Sequence, residues 1–408
     1  MNEWDMKSLG EVSKIKGRIG WKGYKTSDLT NSGPIVFSGT EIKSQSFIDF
    51  SKVKHLSSEK YEESPEIMLR DKDIMIATRG SLGQIGFYKK EYGPATINPS
   101  LVIVSEFQGI PEYLFYYFIS SLGQENILSQ SSGTTIPAIY QADLKKIKIT
   151  FPPIIIQTAI AEILSSLDNK IELNNKINQE LEALAQTLFK RWFVDFEFPN
   201  ENGEPYKSSG GEMVDSELGE IPKGWKYGTL KDEFHLNMGQ SPKGETYNET
   251  GDGMIFFQGR SDFGFRFPAL RMYTNDPKKV AKKFETLISV RAPVGDINMA
   301  ESTCCIGRGI GSISHEKKFF SYTYYKILSL QGELKSYDNE GTVFGSINKE
   351  TLGNIKIIIP PVDIAKLFND LVCQKDSLIY NFTQQNQNLI NLRDKILPKL
   401  ISGELEVS

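Results

Sequence analysis

Three cysteines and three histidines are all that a chain of 408 residues contains. Cys304 and Cys305 are adjacent and Cys373 is remote, a spacing that builds neither a disulfide framework nor a zinc site, so reduced thiols are expected. His55, His235 and His315 are equally dispersed, which argues against a metal site or a histidine-based triad. Long apolar runs are missing too: none approaches the roughly 18 residues of a membrane span, and Met1-Asn2-Glu3-Trp4-Asp5 lacks signal-peptide character. A cytoplasmic protein with no membrane partner is expected. No G-x-x-x-x-G-K-S/T segment occurs, which excludes a P-loop. Both Pro-Pro pairs follow Phe or Ile, so neither is the N/D-P-P-F/Y/W loop that holds a flipped adenine in methyltransferases. Gly307-Arg308-Gly309-Ile310-Gly311 imitates a nucleotide loop but has no third spaced glycine and no clear following helix, and reads as a turn. Positive charge is not in excess either, since the net charge is −4. Any contact with nucleic acid must therefore come from local patches or partner chains.

What the chain does have is a repeat. Shifted by 208 positions, residues 133–153 overlay residues 341–361 with nine identities in 21 ungapped pairs. Gly133-Thr134 sits over Gly341-Thr342, Ile147-Lys148-Ile149 over Ile355-Lys356-Ile357, and Pro152-Pro153 over Pro360-Pro361. A period this long means two copies of a whole domain, because solenoid units repeat at roughly 20 to 50 residues. After each Pro-Pro the pattern becomes helical, proline being welcome in the first turn. Steps of three and four from Ile160 reach Leu164, Leu167, Ile171, Asn174, Asn178, Leu181, Ala185, Leu188 and Trp192. The shifted set runs from Phe368 through Ile379, Phe382, Asn386 and Arg393 to Leu400. Such sustained spacing reads as a coiled-coil seam. Each helix would be about 65 Å long at roughly 1.5 Å per residue, too long to bury its seam on one compact domain, so its natural partner is the other copy. In an antiparallel pair the equivalent Asn178 and Asn386 would lie side by side and fix the register. Pro398 is expected to break or kink the second helix.

The remaining segments are mixed. Residues 1–150 carry strand patterns at 74–78, 84–88, 100–105 and 146–150, and a helix at 111–121 with an aromatic face. Residues 151–198 form the first helix. Residues 199–358 comprise a linker, dense in Gly, Pro, Ser and Glu from 200 to 224, and a second mixed domain with strands near 253–258, 287–291 and 355–359. Residues 359–408 form the second helix. Tyr322, Tyr324 and Tyr325 read as core, and Lys278-Lys279 with Lys282-Lys283 as a basic run at helical spacing. The fold class is α+β: two globular α/β domains separated by two long antiparallel helices in a coiled coil, with a pseudo-twofold repeat. Such an object can present one reading head to each of two DNA half-sites.

In its order of parts the whole chain resembles the specificity subunit of a type I restriction-modification system. The resemblance rests on Phe151-Pro152-Pro153 leading into Gln157, Ile160 and Leu164, on LFKRWFVDF at 188–196, on LGEIPKGW at 218–225, and on Ile359-Pro360-Pro361 with LPKLISGEL at 397–405. It implies that the two domains are target recognition domains, each reading one half of a bipartite, asymmetric sequence in double-stranded DNA. It also implies that the helices act as a spacer and as the docking surface for two modification subunits. Those partners would bind S-adenosylmethionine, and restriction and translocase subunits would use ATP and Mg; this chain would hold no cofactor and do no chemistry itself. The second copy departs from the pattern at Ala365, where the first has Gln157, and that bears on whether both ends dock alike.

Base readout needs Arg, Asn or Gln at base edges and basic groups on phosphates. Arg79, Ser81 and Gln84 lie on a polar turn between two strand candidates. Arg291 opens the matching turn at a shift of 212, where the alternative job for both arginines is tying the turn to a carboxylate. Lys22 sits in a basic and aromatic stretch. Gln240, Lys243 and Arg260 are the second domain's other candidates for DNA. Asn178, Asn386, Trp192, Phe193 and Leu400 are assigned to the spacer and its docking surface. The competing reading is a coiled-coil adaptor that binds proteins without DNA specificity; a chain with its own nuclease or methyltransferase site lacks the motifs.

Overall fold

The computed structural model describes residues 4–17, 23–43, 48–131, 137–338 and 345–407. Two compact units divide the chain: residues 1–174 with 384–408, and residues 175–383. The division passes through the long helices. Each unit is one mixed domain together with a stretch of both helices. Seam burial explains this, because an apolar stripe that continues along a helix is covered by whichever segment of the second helix lies beside it.

In the first unit, Lys14–Lys16, Leu101–Ser105, Ile74–Ala77 and Ile85–Phe87 form an antiparallel sheet in that spatial order. A second sheet orders Lys54–Leu56, Leu29–Phe37 and Ala95–Ile97, with the last two parallel. Helix Pro111–Ile119 opens on proline and buries Tyr113, Leu114, Tyr117 and Phe118. Strand Asp5–Ser8 pairs with Lys148–Phe151, which delivers the chain to Pro152-Pro153 and the first long helix.

The second unit repeats this plan. Phe234–Met238, Ile310–His315, Thr286–Ser289 and Ile297–Met299 form the matching antiparallel sheet. In the other sheet, Met254–Phe257 lies parallel to Cys304–Ile306, as Leu29–Phe37 does to Ala95–Ile97. Lys226–Thr229 pairs with Lys356–Ile359. Even the short helices start alike: Ser8 with Glu11, and Thr229 with Asp232, each form a capping box that satisfies the first-turn N–H groups. The duplication seen at 133–153 and 341–361 therefore extends to whole domains.

The long helices run Ile154–Phe193 and Val362–Ser402. Within the first unit Asp168 meets Arg393 and Asn174 meets Asn386, so their segments are antiparallel there. Within the second unit Trp192 packs on Phe368, with ring centroids 5.8 Å apart, and Glu182 and Asp376 share Arg266, which gives the same sense. The partner of Asn386 differs from expectation. Asn174, one turn before Asn178, donates to Asn386 Oδ1 and to Gln385 Oε1, both at 2.8 Å. Asn178 is buried with its Oδ1 unsatisfied among the described residues. The polar contact on the first unit's seam is thus made by Asn174, one turn before the residue expected.

Three further readings need correction. Pro398 does not break the second helix, which continues to Ser402. Leu397, Leu400 and Ile401 are all buried, and their packing outweighs the roughly 3 kcal/mol cost of a helical proline. Residues 200–224 are not a bare linker: Met213–Ser216 pairs with Gly219–Pro222 as a hairpin, and Phe198 stacks on Tyr206 and packs on Trp225. The glycines that read as flexibility, Gly203, Gly210, Gly219 and Gly224, sit at positive φ and make its turns. Lys278 to Lys283 is not helical; it spans strand Val280–Ala281, with Lys278 paired to Asp276 and Lys283 lying over the Tyr380 ring.

Candidate nucleic-acid interface

A strand end and the turn after it set the first candidate. Beyond Ile74–Ala77, Thr78 accepts from the Ile139 N–H at 3.0 Å, Arg79 bridges Ala138, and Gly83 at φ 78° returns its N–H to Ala77 at 2.9 Å. The second unit builds the same turn. Val290 accepts from Ile347 at 3.0 Å, Arg291 bridges Ser346, and Gly295 at φ 87° donates to Ser289 at 3.0 Å. Both arginines are exposed, and neither guanidinium has a hydrogen bond or ion pair among the described residues. No carboxylate among the described residues ties either guanidinium to its turn. In the second unit the turn's carboxylate is met by Arg260, whose Nε lies 2.5 Å from Asp296.

Ser81 is half-buried, and its carbonyl caps the turn by accepting from Gln84 at 3.2 Å. Gln84 does not accompany Arg79. Its backbone rejoins the strand, and its buried Oε1 has no partner among the described residues, on a cleft of about 430 Å³ lined by Lys43, Leu82, Gln124, Arg393 and Pro398. Gln240 donates its N–H to Ile306 at 3.0 Å and leaves its side chain exposed; Lys243 is exposed, 3.8 Å from Glu245. Lys22 lies outside the described residues.

Sequence reasoning passed over Arg308. Its N–H donates to Ser241 Oγ at 3.1 Å, and its side chain is exposed on the turn that joins Cys304–Ile306 to Ile310–His315. The turn reading of Gly307-Arg308-Gly309 is correct, and its glycines have a packing cause. A Cβ on Gly309 would lie 2.7 Å from the Gln258 carbonyl, and one on Gly239 would lie 2.2 Å from the Gly307 carbonyl. Turns 239–243, 258–260, 291–296 and 307–309 thus meet along one rim carrying Gln240, Lys243, Arg260, Arg291 and Arg308.

The perturbed titrating groups lie elsewhere. Burial pushes the Cys304 thiol up to about 12 and raises Glu233 while lowering Lys326, all three in the packed interior. Among the described residues no group of three or more His, Cys, Asp or Glu is placed to hold a metal ion. None of those helices is long and apolar enough to cross a membrane. The rim offers hydrogen-bond donors and positive charge, which suits phosphates and base edges.

The residues assigned to docking are internal. Trp192 and Phe193 pack with Phe368 and Tyr322, and Leu400 lies in the first unit's core, so the side chains of all three are packed inside their units. Gln157 is likewise fully buried, accepting from Ile110 N–H at 3.0 Å and donating to the Pro152 carbonyl at 2.8 Å, where its counterpart Ala365 is simply packed. The apolar surface left open is different. The first unit exposes Ile163 and Leu392 on its helix segments, and the second exposes Leu371 and Leu184. These are the same two positions under the shift of 208.

The type I restriction modification DNA specificity domain matches this sequence twice, over residues 1–183 and 222–392. The chain belongs to the specificity subunits of type I restriction-modification systems. It is 31% identical over 99% of its length to a putative type I restriction enzyme MjaX specificity subunit of Methanocaldococcus jannaschii, covering 94% of that protein. To the HindI specificity subunit of Haemophilus influenzae it is 24% identical, over 99% of this chain and 100% of that one. In fold it is similar to the crystal structure of a type I restriction-modification S subunit from M. genitalium, with a TM-score of 0.59 at 18% identity, covering 100% of this chain and 98% of that one. The adaptor reading is not favoured.

Proposed function

We propose that each unit of this specificity subunit reads one half of a bipartite, asymmetric DNA target. The observation that carries this is the pair of matched turns that present Arg79 and Arg291, exposed and without partners among the described residues, on domains whose surrounding loops have diverged. Equal backbones with unequal neighbours serve to read different sequences. With a net charge of −4, the pull on DNA is local to these rims. The chain acts without catalysis of its own: two modification subunits dock on the repeated apolar positions Ile163 with Leu392 and Leu371 with Leu184. They bring S-adenosylmethionine, and restriction subunits bring ATP and Mg.

The test is a pair of substitutions in the full chain with its modification subunit. Arg79→Ala is expected to lower discrimination at one half-site by roughly 1 to 3 kcal/mol, and Arg291→Ala to do the same at the other. Methylation of duplexes altered in one half at a time measures this. Equal losses on both halves from either change would contradict the assignment.

A further inference from the structure

The two domains share a three-residue turn that sequence alignment does not pair. In the first unit it is Asn98-Pro99-Ser100, between Ala95–Ile97 and Leu101–Ser105; in the second it is Gly307-Arg308-Gly309. Three hydrogen bonds prove the correspondence. Asn98 N–H donates to the Phe37 carbonyl and Gly307 N–H to the Phe257 carbonyl, both at 2.8 Å. Leu101 returns to Asn98 at 3.1 Å as Ile310 does to Gly307 at 3.0 Å. Thr78, beside Arg79, donates to Ser100 at 2.8 Å, and Val290, beside Arg291, donates to Gly309 at 2.9 Å. The same backbone thus carries Pro99 at its tip in one domain and Arg308 in the other, and both residues are exposed.

Resting on the DNA-reading assignment above, we infer that Arg308 is a specificity-determining residue that reads a guanine in the half-site of the second unit. The flanking glycines let turns 239–243 and 258–260 close beneath the tip, so the arginine is the one side chain that leaves it. Its guanidinium has no hydrogen bond or ion pair among the described residues, whereas nearby Arg260 is held by Asp296. Arg260 is therefore a strut, and Arg308 is available as a probe. A planar fork of donors matches the O6 and N7 acceptors of guanine in the major groove. In the first unit Pro99 offers no donor, so this turn supplies no charged group to its half-site.

The experiment selects bound sequences from randomised duplex DNA, using the full chain co-purified with its modification subunit. Wild type is expected to specify a guanine at one position of one half-site. Arg308→Ala should lower the preference there by roughly 10- to 100-fold, the range expected for one bidentate contact, with every position of the other half unchanged. That unchanged half also reports that the variant is folded. Arg308→Lys keeps the charge but not the fork, and should retain affinity while losing most of the preference. An Arg308→Ala motif identical to wild type overturns the inference, as does a uniform affinity loss with the motif intact, which marks a phosphate contact. If wild type itself selects no two-part motif, the underlying reading fails with it.

Discussion

The two units secure the same carboxylate in two ways. Asp168 and Asp376 are equivalent under the shift of 208, and each accepts from a tyrosine of the domain helix: Tyr116 at 2.7 Å in one, Tyr325 at 3.2 Å in the other. In the first unit the arginine comes from the second long helix, Arg393 donating to Asp168 at 2.8 Å. In the second it comes from the domain. Arg266, 2% exposed, approaches Glu182 and Asp376 and lies 3.8 Å from the Tyr324 ring centroid. A duplicated scaffold has therefore kept the acceptor and exchanged the donor. What the helices require is an arginine beside the carboxylate at this depth, whichever element supplies it.

That comparison orders the expected effects. Arg266→Met leaves Glu182 and Asp376 buried and facing each other; burial already raises the Asp376 pKa against the pull of Arg266. The loss should be about 3 to 5 kcal/mol in the second unit. Arg393→Met exposes less of an imbalance, because Asp168 is partly solvated, and should cost about 1 to 3 kcal/mol in the first unit. Hydrogen exchange resolved by unit, combined with urea unfolding, measures both. Equal losses, or a loss from Arg266→Met confined to residues 1–174, would break the comparison.

The smallest expected effect separates the units by pH. Burial pushes the Asp73 carboxyl up to about 6, against its hydrogen bond from the Arg70 N–H at 2.8 Å. A carboxyl whose pKa is higher folded than unfolded binds more protons in the folded state. Stability contributed by the neutral form is thus lost as pH rises from about 4 toward 6. Asp73→Asn keeps the acceptor and should flatten that slope in the first unit, leaving the second unchanged. An identical pH profile for wild type and variant between pH 4 and 7 would remove Asp73 from the account.

The two long helices, the helix at 111–121 and a minority of the strands were legible because their signals are local and periodic: seam residues at steps of three and four, short β-branched runs between turn residues. The repeat was legible only where no insertion intervenes. Between the domains the shift is 208 at the helices, 209 at the Asn98 and Gly307 turns and 212 at Arg79 and Arg291, so loop correspondences vanish from any single alignment. That is why Arg308 was missed as a partner of Pro99. Arg266 gave no signal at all: nothing in Phe265-Arg266-Phe267 points to Glu182 and Asp376, which only the fold brings beside it. The repeat pairs Asn178 with Asn386 by sequence position, whereas antiparallel packing selects partners by depth along the seam, which brings Asn174 to Asn386.

Selection of duplexes bound by the wild-type chain with its modification subunit tests the central claim most directly. Two different specified blocks separated by an unspecified gap of fixed length are predicted. A single continuous block would contradict one half-site per unit, and two identical blocks in inverted orientation would contradict an asymmetric target.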